Sequence, residues 1–186
     1  MSSIFYIFTN KDAEAIKAAC NVDSLVNFAI IDQIMGENDH SSCSFNMFYT
    51  TTSDNPAENG KLNFGPIWDY DFSLHVAWTR EPDVLFQLSS KETYTNVFLK
   101  AVRDIPEFQQ LRNEKWHSYF APRLTEYLSE YDALVDSMKE SLELNAAKWY
   151  TNPEKHPEGL LENSIAHLKA FLAHRLELFN EKWALE

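Results

Sequence analysis

Glycine is scarce in this chain, four residues in 186, and cysteine is scarcer at two. So few glycines make poor provision for the many tight turns of a large sheet. The long uninterrupted stretches of the second half favour helix instead. Cys20 and Cys43 have no metal-site spacing and build no disulfide framework. One bridge between them is conceivable, but two free, buried thiols are the expectation, and they leave the redox compartment undecided. Long apolar runs are missing too. The N-terminal run Ile4 to Phe8 has no basic start before it and is far shorter than a signal-peptide core or a membrane span. A chain that opens so abruptly on an apolar run is expected to be a piece of a longer protein. Positive charge is the last deficit: 16 Lys and Arg face 28 Asp and Glu, a formal net charge of -12. That balance argues against a nucleic-acid binder and against electrostatic attachment to an anionic membrane. It suits solubility, and an acidic cleft would suit divalent cations.

What is present is core material. Hydrophobic residues make up 45% and aromatics 14%, enough for one well-buried domain over residues 1–186 and too little length for two. The run Ile4-Phe5-Tyr6-Ile7-Phe8 reads as a short strand, followed by an Ala-rich helix from about Asp12 to Cys20. Asp23 can cap a helix whose apolar residues, Leu25 to Met35, surround most of its circumference, so it should lie at the core; Gly36 ends it. A polar loop, Glu37 to Ser42, leads to a strand over Ser44 to Thr50. A turn closing on Asn59-Gly60 and a return strand from Lys61 to Ile67 complete a hairpin. After an irregular stretch to about Ser90, helices are predicted over Asn96 to Arg103, Pro106 to Phe120, Pro122 to Tyr150 and Glu158 to Trp183. The fold class is therefore mainly α (α+β): a small β-hairpin and site region at about 37–74, then a helical bundle at about 94–183.

Two groups of residues can carry chemistry. In Gly65-Pro66-Ile67-Trp68-Asp69-Tyr70-Asp71, Asp69 and Asp71 share one face if the segment is extended. Converging carboxylates need a cation, a proton or a basic partner between them, and Mg²⁺ with its oxygen preference is a natural solution. The plain alternative is one helix-capping Asp and one solvated Asp. The second group is Asp39-His40-Ser41-Ser42-Cys43-Ser44-Phe45-Asn46. A loop carboxylate at Asp39 can accept a proton from a hydroxyl substrate, and an amide or hydroxyl a few residues on can hold a metal; equally, Asp39 can simply stabilise its own turn. Trp68 reads best as a core-packing ring, with the wall of a nucleotide pocket as the alternative. His40 reads best as a structural loop residue. The remaining histidines show no zinc-ligand spacing, and no Gly-x-Ser-x-Gly nucleophile motif occurs.

Taken together, these features resemble the CotH kinase family, the spore-coat-protein-H-like proteins, over roughly Asn21 to Trp183. The most specific part is Gly65 to Leu74, similar to that family's Gly-Pro-x-Trp-Asp-Phe-Asp signature. Asn145 to Trp149 and Leu168 to Arg175 resemble its C-terminal helices. The resemblance implies the C-terminal lobe of an atypical protein kinase fold, with ATP and Mg²⁺ or Mn²⁺ as cofactors and a protein hydroxyl as phosphoryl acceptor. By position it implies Asp39 as catalytic base, Asp69 as the metal-binding Asp with Asp71 second to it, and either Ser44 or Asn46 as the further ligand. Ser44 has the family's offset from Asp39, and Asn46 the better ligand chemistry. It also implies a secreted, cell-surface or spore-associated setting and a surface or coat protein as partner.

The pattern departs from the family's in two places. Ser73-Leu74-His75 stands where a Gly often follows the metal Asp. No phosphate-covering loop with a Lys held by a helix Glu fits before Asp23, so Lys11 and Lys17 are expected to be solvated helix residues and the nucleotide-clamping lobe to lie elsewhere in the polypeptide. The competing reading is a non-catalytic binding or structural module at a surface or spore coat, with a degenerate kinase-like site.

Overall fold

The computed structural model describes residues 3–36, 44–51, 54, 59–70, 73, 96–152 and 158–185. The expected helix at Asp12 to Cys20 is there as α2, Ala13–Ala19, with the Asp12 carboxylate accepting from the Ala15 N–H at 3.0 Å. The preceding run is helix rather than strand. α1 spans Ile4–Thr9, with the Ser3 hydroxyl capping it. Its burial follows the three- and four-residue spacing of a helix: Ile7 and Phe8 are buried and Ile4 is packed against the core, while Phe5 and Tyr6 face outward. Alternation along a strand would have divided these residues differently.

The core helix is α3, Val22–Met35, and its wide apolar surface buries Leu25, Val26, Phe28, Ala29 and Ile30. Its cap is Asn21 rather than Asp23: the Asn21 side-chain oxygen accepts from the Ser24 N–H at 3.3 Å. Asp23 falls in the first turn, where its charge favours the helix dipole and pairs with Lys115 at 2.9 Å. Gly36 ends the helix at φ 63°, a left-handed conformation that glycine enters without a Cβ clash. Asp32 and Gln33 near this end are fully buried, and the Gln33 amide donates to the Asp32 carboxylate at 3.5 Å.

β1, Met47–Thr50, pairs antiparallel with β2, Lys61–Phe64, in the register Met47 to Phe64 and Thr50 to Lys61. Both strands are shorter than the sequence suggests, because Ser44 (φ 58°) and Gly65 (φ 126°) take the chain out of extended geometry. A dense set of hydrogen bonds fixes β2 to the start of α3. Asn21 donates from its side chain to Asn63 at 2.8 Å and from its main chain to the Leu62 carbonyl at 2.9 Å, and the Phe64 N–H donates to the Ser24 hydroxyl at 3.1 Å.

The second half is helical, as expected. α4, Val97–Asp104, is capped by Asn96, whose side chain accepts from the Leu99 N–H at 3.0 Å. α5, Pro106–Lys115, begins on its proline. The helices anticipated on either side of residue 120 are not separated by a break. A π-helical turn, Trp116–Phe120, joins α5 to α6, Ala121–Trp149. Pro122 explains the turn: it has no N–H for the Ser118 carbonyl, and its ring crowds that carbonyl, so the hydrogen-bond ladder widens locally. α7, Leu160–Lys182, returns along α6.

Aromatic rings form two centres of packing. Near α3, Phe45 stacks on Phe98 (centroids 5.6 Å apart, planes at 12°) and meets Phe28 edge-on at 5.0 Å. At the C-terminal end, Trp183 stacks on Phe179 at 4.0 Å and Trp116 stands edge-on to both. The Trp116 indole N–H donates to Asn180 at 2.9 Å, and the Arg112 guanidinium lies 4.6 Å from the Trp183 ring centroid. Arg175 is fully buried against Phe171 and Phe179. No helix among the described residues is long and apolar enough to cross a membrane.

Trp116 is completely buried and holds three partners at once, Asn180, Phe179 and Trp183. Trp116→Ala should therefore lower unfolding free energy by about 3–5 kcal/mol, measured as a shift in urea midpoint at unchanged m-value. A second expectation concerns acid. The Arg103 guanidinium, helped by Lys11 at 3.0 Å, holds the Asp104 carboxyl below its ordinary 3.8 at about 2. A carboxyl depressed in the folded state stabilises fully above its unfolded pKa and loses that contribution as pH falls through the folded one. Between pH 3.8 and about 2 the native chain should therefore lose more stability than Asp104→Asn, as judged by urea midpoints across that window.

Candidate functional site

The site is built around a residue that has no polar chemistry. Phe45 packs on Phe28, Phe64 and Phe98, so the segment 44–46 is fastened to the core through its middle side chain. Ser44 and Asn46 flank that anchor. Asn46 meets the signature segment through its main chain, its carbonyl accepting the Gly65 N–H at 2.9 Å, one step beyond the β1–β2 ladder. Gly65 stands at φ 126°, a region open essentially to glycine, and the Gly65-Pro66 peptide is cis. From there the chain runs out through exposed Ile67 and Trp68 to Asp69.

Asp69 comes back onto the anchored segment. Its carboxylate accepts from the Ser44 hydroxyl at 2.7 Å, across 25 residues of sequence. Both residues have positive φ, 58° at Ser44 and 62° at Asp69. Left-handed backbone costs a non-glycine residue roughly 1–2 kcal/mol, with Asp among the better tolerated types. The extended geometry that would set Asp69 and Asp71 on one face does not hold at Asp69, whose φ turns the chain. Past it, the Ser73 N–H and hydroxyl both donate to the Tyr70 carbonyl, and Ser73 is buried.

Thus, of the residues singled out from sequence, Ser44 and Asp69 are in direct contact and Asn46 is fixed to the same hairpin end. Trp68 is 63% exposed, so the core-packing reading of that ring is overturned. Asp39, His40, Cys43 and Asp71 lie outside the described residues. Cys20 is free and fully buried, and burial pushes its thiol up to about 11, which makes it a packing residue rather than a nucleophile. Lys11 and Lys17 are held in ion pairs with Asp104 and with Glu14 and Glu107. Sequence reasoning missed Phe45 as the anchor. Its signal in the sequence is an aromatic between two candidate ligands, within a run that reads as one strand from Ser44 to Thr50.

Among the described residues no three His, Cys, Asp or Glu side chains gather as a metal-binding group. The described donors are a carboxylate and a hydroxyl side by side, hard oxygens in a partly solvated position. That set fits Mg²⁺ or Mn²⁺, which keep several waters and need only one or two protein carboxylates beside substrate phosphates. It does not fit a structural zinc site.

No curated protein and no solved structure matches this chain. The family model described as CotH kinase protein matches residues 4–179, which takes in every element from α1 to most of α7. On that match, the chain belongs to the CotH kinase family.

Proposed function

We propose that this chain supplies the catalytic-base and metal-binding side of a kinase-like site that moves a phosphoryl group from ATP to a protein hydroxyl. The observation that carries the reading is the Ser44–Asp69 hydrogen bond, because it unites the loop that would bear the base with the segment that would bear the metal. In protein kinases those two parts act together, a loop Asp on the acceptor hydroxyl and a further Asp on the metal.

In this reading Asp39 orients the acceptor hydroxyl and takes its proton as the oxygen attacks. Asp69 holds the cation, with Ser44, Asn46 and Asp71 as the further oxygen donors from which its coordination is drawn. When bound, Mg²⁺ or Mn²⁺ supplies neutralisation of the ATP phosphates. Exposed Trp68, next to Asp69, offers a flat face to a nucleotide base or to the substrate. Since Lys11 and Lys17 are engaged in ion pairs on the helical side, the phosphate-clamping Lys would come from another part of the polypeptide. A spore-coat or cell-surface setting, with a coat or surface protein as substrate, follows from the family alone. A binding scaffold with a degenerate site is the second reading, favoured by the apolar side chains exposed beside the site: Phe48, Tyr49, Ile67 and Trp68.

The test is Mg²⁺- or Mn²⁺-dependent ATP turnover by the full-length protein. Asp39→Ala and Asp69→Ala should each lower it by about 10²-fold or more; turnover that persists in both variants sinks the assignment. A companion variant separates folding from function. Asp69→Gly relieves the left-handed backbone at the cost of an exposed hydrogen bond, so its unfolding free energy, read from urea midpoints, should match or exceed the native value by up to about 1 kcal/mol. Mn²⁺ binding, read by paramagnetic resonance in the presence of ATP, should be lost in the same variant. Retained binding would mean that Asp69 is not a ligand.

A further inference from the structure

Beyond Tyr131, α6 buries no residue, although it continues for another 18 positions beside α7. The two helices are tied together near Tyr131, where its hydroxyl donates to the Ile165 carbonyl at 2.9 Å and Lys169 pairs with Asp132 at 2.6 Å. From that tie a groove of about 400 Å³ opens between them, and Val135, Leu142, Leu161 and Ile165 are among its apolar side chains. Leu134, Met138 and Leu144 lie exposed on the same stretch of α6, Leu144 at 72%. An apolar surface of this kind left in water forgoes roughly 25 cal/mol for each Å² that a partner would cover.

Charge says what kind of partner fits. Four carboxylates and two ammonium groups line the groove. Lys169 is engaged with Asp132, and Lys139 lies 4.0 Å from Glu143, which leaves Asp136 on α6 and Glu162 on α7 lining the groove without an ion pair among the described residues. A second copy of this chain would bring a like-charged groove and a net charge of -12 against it. An anionic lipid surface is repelled for the same reason. We propose that this groove docks a lysine-bearing amphipathic helix of another protein, its apolar face on Val135, Leu142, Leu161 and Ile165 and its flanking lysines on Asp136 and Glu162. The geometry is helix-in-groove recognition, with burial giving the affinity and the acidic rim giving the choice of partner.

The proposal stands apart from the phosphoryl-transfer reading, since none of its residues belongs to that site. The probe is a fluorescent Leu/Lys peptide of about five helical turns with its leucines on one face. Two controls go with it: a peptide of the same composition with the leucines scattered, and a Leu/Glu peptide of the same pattern. Fluorescence anisotropy with the full chain should show binding by the amphipathic Leu/Lys peptide alone, weakening as salt is raised. Asp136→Lys with Glu162→Lys, both exposed positions, should weaken it by about tenfold or more at unchanged circular dichroism. Equal binding of either control, or indifference to the double reversal, overturns the proposal, and so does failure of the Leu/Lys peptide to bind. Sedimentation supplies the remaining arm: a self-associating chain whose association the double reversal disrupts assigns the groove to a second copy instead.

Discussion

The position of everything near the candidate site depends on one buried amide pair. Asn21 uses its side-chain oxygen to cap α3 and its side-chain N–H to reach Asn63 on β2, while its main-chain N–H takes the Leu62 carbonyl. Asn63 in turn donates to the Lys61 carbonyl and to Thr50 on β1. Both asparagines are buried, so each polar atom left unpaired would cost about 1–3 kcal/mol, whereas the satisfied pair adds only about 0.5–1.5. That asymmetry makes the pair a device for specificity. Any other register of β2 against α3 strands a buried amide. A two-stranded hairpin has little stability of its own in water, and this one is held in place by the helix it is bonded to.

With the hairpin fixed, its open end can tolerate unfavourable backbone. Ser44, Gly65 and Asp69 all have positive φ within the same small region, and two of the three are not glycine. The aromatic packing of Phe45 and the ladder bond from Gly65 to Asn46 over-determine the segment enough to hold it there. Backbone strain of this sort persists only where the surroundings impose it, and it collects where a side chain must be aimed. The Asp69 carboxylate is aimed at Ser44, yet Asp69 itself remains exposed. An exposed hydrogen bond is a weak return for two left-handed residues, and that imbalance is the physical reason to look for a ligand at this point.

How much of this could be read beforehand varies with the kind of signal. The capped and periodic helices were legible because local rules decide them: Asp12 and Asn96 cap where they stand, Gly36 stops α3, and Pro106 opens α5. α1 was misread because five consecutive apolar residues carry no period, and only the burial of Ile7 and Phe8 against the exposure of Phe5 and Tyr6 resolves it. The cap at Asn21 was missed for a different reason. Asp23 and Asn21 are equally good caps by type, and the choice was made by Asn63, 42 residues away. The same limit applies at the site. The residue types and the signature named Ser44 and Asp69 separately, but their contact is a tertiary fact, and so is the exposure of Trp68.

The acidity that first argued against nucleic acid and membranes also has a place in the fold. Acidic side chains near the helical core are answered by basic ones: Asp23 by Lys115, Asp104 by Arg103 and Lys11, Glu107 by Lys17. The cationic residues most deeply placed, Arg112 and Arg175, lie against aromatic rings of the C-terminal core. Among the described residues these cations are engaged in assembling the helices, and the groove between α6 and α7 is lined by more carboxylates than ammonium groups. Exposed pairs of this type add little stability each, typically under about 1 kcal/mol. Their larger consequence is spatial, since they fix which surfaces are neutral and which attract cationic groups. The groove between α6 and α7 is on the attracting side of that division, and the Asp69 carboxylate stands exposed at the hairpin end.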